Sequence, residues 1–190
     1  MAAVVDIYNR SLQLLGAKRI SIPSESSQSA RACRACYEPL RDSLLRRHKW
    51  NFAITRASLA AEDPAPSFGR GNSYPLPSDY IQMANEYPER NTLARDFVVE
   101  AGKIVSNWSD PLEIRYVKRV TDPNVMDPLF RELLAHDMAL AMCEELTQSS
   151  TKKESLRADR REIYLEARKA NAFEKPAEQS PEDEWVTVRS

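Results

Sequence analysis

Apolar residues return every three to four positions along four stretches of this chain and alternate with polar ones along a shorter middle stretch. The sequence therefore predicts helices at both ends and strands between them. Val4, Ile7, Tyr8, Leu12, Leu14 and Leu15 mark a first helix over about residues 3 to 15, and Gly16 stands where a left-handed cap would end it. Ile22-Pro23-Ser24 reads as a connector whose serine caps a second helix. Ala30, Cys33, Tyr37, Leu40 and Leu44 mark one face of that helix as far as Trp50. Pro39 is expected to kink it, or to split it in two near Glu38, because the ring removes an amide donor in mid-helix.

From Ala57 to Thr121 the backbone changes style, with six prolines between Pro64 and Pro111. Leu112, Ile114 and Tyr116 alternate with Glu113 and Arg115 as in a half-buried strand. FVVEAGKIVSN reads as a hairpin turning at Ala101-Gly102, and Ser78 to Ala84 is a third candidate strand. Asp127-Pro128 then supplies an N-cap and a first-turn proline for a third helix, whose stripe of Leu129, Phe130, Leu133, Leu134, Met138, Ala141 and Leu146 is the hydrophobic centre of the chain. Thr151-Lys152-Lys153-Glu154 has the form of a capping box opening a last, more charged helix that fades before Pro176. Its seam of Leu156, Ile163, Tyr164, Ala167 and Ala170 is narrow.

The expected fold is mainly α. It is a four-helix-type bundle, residues 1–56 and 121–174, with a small antiparallel β module at 57–120 inserted between the second and third long helices and an extended C-terminal tail at 175–190. Trp50 and Phe52, where the basic stretch RDSLLRRHKWNF meets the change of period, are expected to pack the β module against the helical body.

Composition narrows the function classes. With 190 residues and 42 % hydrophobic content the chain can bury a core, and a net charge of −1 with 29 % charged residues makes the whole protein neither a basic nucleic-acid binder nor an acidic mimic. The charge is segregated, however. Arg31, Arg34, Arg41, Arg46, Arg47, Lys49 and Arg56 crowd one stretch against Glu38 and Asp42, while residues 174–190 hold five acids against Lys175 and Arg189. No apolar run approaches the roughly 18 residues that span a bilayer, and the N-terminus lacks a basic region before an apolar one, so the expectation is a protein made in a cytosol with no membrane partner.

Cys33 and Cys36 form a C-x-x-C inside a predicted helix with no preceding strand, unlike a redox pair. A zinc site would need ligands from Cys143, His48 and His136, which show no metal-ligand spacing. Buried thiols and structural or solvent-facing histidines are the expectation. No G-x-S-x-G, H-E-x-x-H or phosphate loop is present, so no catalytic, cofactor or metal residues are assigned.

The order of segments LLRRHKWNFAITRASLA, YPLPSDYIQM, VEAGKIVSN and LEIRYVKRVTDPNVMDPLFRELLAHDMALAMCEELTQS, followed by a charged helix, resembles the tail tubular protein A family of short-tailed bacteriophages. The resemblance covers residues 1 to about 174. It implies a noncatalytic virion protein at the head-tail interface, predominantly helical with a small β module. Such a protein forms a ring of twelve copies beneath the portal protein, extends the channel through which genomic DNA passes without sequence-specific binding, and offers a platform for the tail nozzle and, in several phages, the fibres. A competing expectation is a small helical DNA-binding or regulatory protein using the arginine-rich helix 31–56.

The C-terminal tail falls outside the resemblance. Pro176 and Pro181 stop the last helix and the acids keep the segment solvated. Trp185, Val186 and Val188 nevertheless have strand-forming and anchoring character, so Glu182, Asp183, Glu184, Trp185, Val186 and Val188 are expected to dock on a partner, the portal.

Overall fold

The computed structural model describes residues 3–84, 97–108 and 110–174. Four helices, α1 (Val4–Leu15), α2 (Gln28–Arg47), α3 (Pro128–Thr147) and α4 (Ser150–Phe173), flank six strands. The strands are β1 (Ile54–Leu59), β2 (Asn72–Pro75), β3 (Tyr80–Met83), β4 (Phe97–Glu100), β5 (Lys103–Ser106) and β6 (Leu112–Lys118). They form two three-stranded antiparallel sheets, in the orders β1-β6-β3 and β2-β5-β4.

This mixed α/β fold overturns the expectation of a mainly α four-helix-type bundle with one small β module. The strands missed from the sequence are β1 and β2, and neither has a clean alternation. β1 carries Arg56 and Ser58 among its apolar residues, and β2 ends in a proline. They are strands because a partner offers them a ladder. β1 pairs with β6 from Ile54↔Val117 to Leu59↔Leu112, and β2 pairs with β5 from Asn72↔Ser106 to Pro75↔Lys103.

β6 is a shared wall. Leu112, Ile114 and Tyr116 meet Tyr74 and Ile104 of the second sheet in a small core between the sheets. Val117 belongs to the main core with the helices, together with Ile54 and Ile81. A strand whose residues enter both cores, Val117 the one and Leu112, Ile114 and Tyr116 the other, is the physical reason that three layers, helices and two sheets, hang together. Tyrosine hydroxyls close the small core: Tyr74 donates to the Trp108 carbonyl at 2.7 Å and Tyr116 to Asp79 Oδ1 at 2.9 Å.

The helix ends follow local chemistry. Gly16 takes φ 71° and ends α1 as expected, and Asp127 caps α3 by accepting from the amides of Leu129 and Phe130 at 2.8 and 3.2 Å. α2 is capped by Ser27 rather than Ser24, ends at Arg47 rather than Trp50, and runs unbroken through Pro39. Pro39 and Ala35 are both exposed, so water reaches the carbonyl that the ring leaves without its helical donor. α4 starts two residues early: Ser149, not Thr151, is its cap and accepts from the Lys152 amide at 3.3 Å.

α3 is the central rod of the main core. Phe130, Leu133, Leu134, Ala135, Met138, Ala139, Met142 and Cys143 are all buried, against α1, α2 and α4. Trp50 joins this core with 1 % of its surface exposed, edge-on to Phe130 at 5.3 Å, and half-buried Phe52 meets the same ring at 5.0 Å. Trp50 also donates its indole N–H to the Leu44 carbonyl at 3.0 Å. Trp50→Ala leaves a cavity beside Phe130 and an open carbonyl, and should lower stability by about 3 to 5 kcal/mol. Chemical denaturation of the isolated protein measures this.

Candidate functional site

Surfaces rather than a cleft carry the candidate function, and they are organised around the end of α2. The last carbonyls of a helix have no partner within it. Here the Leu44 carbonyl takes the Trp50 indole and the Leu45 carbonyl takes Gln82 Nε2 of β3 at 3.1 Å. Arg46 sends its guanidinium to the Ile81 carbonyl of the same strand. The helix end is thereby welded to the first sheet.

α4 closes over the same junction. Asn171, 8 % exposed, accepts from the Asn51 amide at 2.7 Å with Oδ1, and donates with Nδ2 to the Lys49 carbonyl at 3.2 Å. These two partners fix the orientation of the amide, so the 3.1 Å contact of Nδ2 with His48 Nε2 makes the imidazole nitrogen an acceptor. Asn51 Nδ2 returns bonds to the Asn171 carbonyl at 2.6 Å and to Glu174 Oε2 at 3.1 Å. Sequence reading missed Asn171. Its signal is its place one helical step after Ala167 on the seam, where an apolar residue would continue the stripe.

Further up α4, Arg160 forms a forked pair with Asp137 of α3, at 2.6 and 3.2 Å, and lies over the Tyr164 ring at 5.3 Å. The outer face of α4 still shows Leu165 and Phe173, the latter 79 % exposed. Apolar side chains also stand out at Val98 and Val99 of the edge strand β4 and at Phe68, 91 % exposed.

The arginines of α2 divide into two sets. Arg41 is buried, with Nε on Asp42 Oδ1 at 2.9 Å and its guanidinium over the Tyr37 ring at 5.6 Å, and Asp42 Oδ2 takes Arg119 at 2.8 Å. Asp42 is thus already shared between two cations. Arg31, Arg34 and Arg46 instead donate to carbonyls, of Ser26 at 2.8 Å, of Pro23 and Glu25, and of Ile81. Among the described residues none of these three has a carboxylate at ion-pair distance. A carbonyl satisfies the N–H donors and leaves the charge uncompensated.

The remaining sequence-level candidates are placed as follows. Trp50 and Phe52 lie in the main core, while Glu182, Asp183, Glu184, Trp185, Val186 and Val188 lie outside the described residues. Cys33 is buried and Cys36 partly so, both as free thiols. Burial pushes their pKa values up to about 11 and about 12, the opposite of an activated thiolate. His136 is buried in α3 with Nδ1 at 2.9 Å from the Glu132 carbonyl. Among the described residues no group of three or more His, Cys, Asp or Glu could hold a metal ion, and no helix is long and apolar enough to cross a membrane. No family model matches the sequence, and no curated protein matches it.

Two outcomes follow from this geometry. Asn171→Ala removes the clamp on the α2 junction and should destabilise the fold by about 1 to 3 kcal/mol, with faster amide hydrogen exchange confined first to the last turn of α4 and to Asn51. Burial also raises Tyr8 and Tyr116 to about 12, alongside Cys33 and Cys36. Each binds its proton more tightly folded than unfolded, so the stability they contribute is complete below their ordinary values of 9 to 10 and is lost as pH rises toward about 12. Thermal melts from neutral to alkaline pH should show the fall, and the combined Cys33→Ala, Tyr8→Phe variant should flatten it.

Proposed function

We propose that this protein is a structural head-to-tail adaptor of a phage virion. In this reading it forms a dodecameric ring beneath the portal that extends the DNA channel and carries the tail nozzle, with fibres as further passengers. The reading is supported by the order of motifs around Trp50, Tyr74 and Asp127, and by one observation on the surface. Each subunit carries two unlike exposed faces, the arginines of α2 with uncompensated charge and the apolar projections Phe68, Val98 and Val99 on the β side. A head-to-tail ring needs a subunit to present different chemistry to its two neighbours, whereas a two-fold dimer needs only one self-complementary patch. The predominantly helical fold that the resemblance implied is not part of the proposal.

The same arginine face favours a second reading, a small DNA-binding or regulatory protein that lays α2 on phosphates. One experiment separates the two. Electron microscopy and light scattering of the protein with and without the portal should show a monomer alone and rings on the portal. A labelled duplex titrated at moderate salt should not be bound by the monomer. A stable dodecamer in dilute solution without portal would overturn template-driven assembly, because interfaces of moderate polar contacts hold only when they cooperate in register. Deleting residues 176–190 should leave the melting temperature nearly unchanged and weaken attachment to portal-bearing heads. Normal attachment of the truncated protein would overturn the portal-docking role of Glu182 to Val188.

A further inference from the structure

α4 carries two rows of like charge that its own fold leaves unanswered. At about 100° per residue around the helix, Arg157, Arg161 and Arg168 fall within about 40° of one another, and Asp159, Glu162 and Glu166 within about 60°. The rows are centred about 150° apart, with Ala158 and Leu165 between them, and all six side chains are exposed. Among the described residues none of the six is within ion-pair distance of an opposite charge. Arg168 lies over the Tyr164 ring at 5.6 Å, and Glu144 of α3 feels Arg157 but is paired with Lys153. Each row has a charge of the other sign at one end, Glu154 three residues before Arg157 and Lys169 three residues after Glu166, so each keeps an excess of three to one.

Such rows work against the helix that carries them. Side chains four residues apart are neighbours on a helix, where opposite charges help and like charges repel. Arg157 with Arg161 and Glu162 with Glu166 are both like pairs at that spacing. Where α4 meets α3, by contrast, the charges are matched, Arg160 with Asp137. A local repulsion of this kind is relieved by opposite charge brought from outside the subunit.

Each row is the complement of the other. For two α4 helices side by side, parallel and in one register, Arg157 faces Asp159, Arg161 faces Glu162 and Arg168 faces Glu166. The offsets along the axis are then about 3, 1.5 and 3 Å, well within the reach of these side chains. Rows pointing about 150° apart meet two different neighbours rather than one, which is the arrangement of a head-to-tail contact and not of a two-fold one.

We propose that α4 is the head-to-tail contact between copies of this chain, with the row Arg157, Arg161, Arg168 of one copy seated on the row Asp159, Glu162, Glu166 of the next. The proposal deepens the ring reading and rests on it for the order of the copies. Exposed pairs are weak one by one, so the contact is a sum of several, is screened by salt, and holds when copies are concentrated or aligned on a template.

Three variants of the full chain test it. One reverses the basic row (Arg157→Glu, Arg161→Glu, Arg168→Glu), one reverses the acidic row (Asp159→Lys, Glu162→Lys, Glu166→Lys), and the third combines all six changes, which returns the net charge of the wild type. In sedimentation velocity at low salt and high protein concentration, without portal, the wild type should sediment faster as concentration rises tenfold and should pass beyond the dimer. About 0.5 M salt should abolish the effect. Both three-residue variants should stay monomeric, and the six-residue variant, whose rows are exchanged but still complementary, should regain the association. A wild type that stays monomeric throughout would overturn the contact, as would a six-residue variant that melts like the wild type and stays monomeric. Association that stops at the dimer would overturn the head-to-tail order. Should the reversals lower the melting temperature, the neutral variant Arg157→Gln, Arg161→Gln, Arg168→Gln decides: it should lose the association, and keeping it would overturn the contact. Electron microscopy with the portal separates this contact from the ring reading. Rings formed as well by the three-residue variants as by the wild type would overturn the contact and leave the ring reading standing. Charge-dependent association in solution with no rings on the portal would keep the contact and overturn the ring reading.

Discussion

The unpaired carbonyls at the C-terminal end of α2 are the constraint around which the rest of the molecule is arranged. A helix end that enters a core must give those groups donors or lose about 1 to 3 kcal/mol for each one left open. Three different parts of the chain supply them at and just past the helix end: Trp50 on the Leu44 carbonyl, Gln82 of β3 on the Leu45 carbonyl, and Asn171 of α4 on the Lys49 carbonyl two residues beyond α2. The same few residues therefore fix the angle at which α2 enters β1, the seat of the first sheet against α2, and the position of the last helix. Trp50 does two tasks at once, since its ring fills the space beside Phe130 while its N–H caps the helix.

That junction also decides what stays outside. With α3 wrapped by α1, α2 and α4, and with β6 contributing residues to both cores, most of the apolar demand of the fold is met internally. Phe68, Val98, Val99, Leu165 and Phe173 are left over and project to solvent. Asp42 is consumed by Arg41 and Arg119, which strips the outer face of α2 of one of its two acids and converts an apparently mixed helix into a basic one. The surfaces on which the proposed assembly role rests are therefore by-products of how the core was satisfied.

Much of the helical framework was legible along the chain. Gly16 and Asp127-Pro128 end and start helices through backbone chemistry that acts within a few residues, and both lie where that chemistry places them. The central role of α3 was visible in the density of its apolar positions. The caps of α2 and α4 were misjudged because several serines and threonines compete within a few positions, and packing of Ala30, Cys33 and Leu156 selects among them. The β1-β6-β3 and β2-β5-β4 sheets were only partly legible, since β1 and β2 have little strand signal of their own.

The sequence by itself determined what depends on near neighbours: four helices, their approximate ends, a central strand at Leu112 to Tyr116, inert thiols in a helix, and the separation of positive from negative charge. The tertiary structure alone decided what depends on partners distant in the chain. It made strands of Ile54–Leu59 and Asn72–Pro75 by giving them ladders, and it turned Asn171 from one polar residue among many into a clamp on Asn51 and Lys49. It also divided the arginines of α2 into a buried one paired with Asp42 and exposed ones facing carbonyls. A hydrogen bond or an ion pair is settled by a few ångströms of separation, and that separation is fixed only when elements far apart in sequence are packed together.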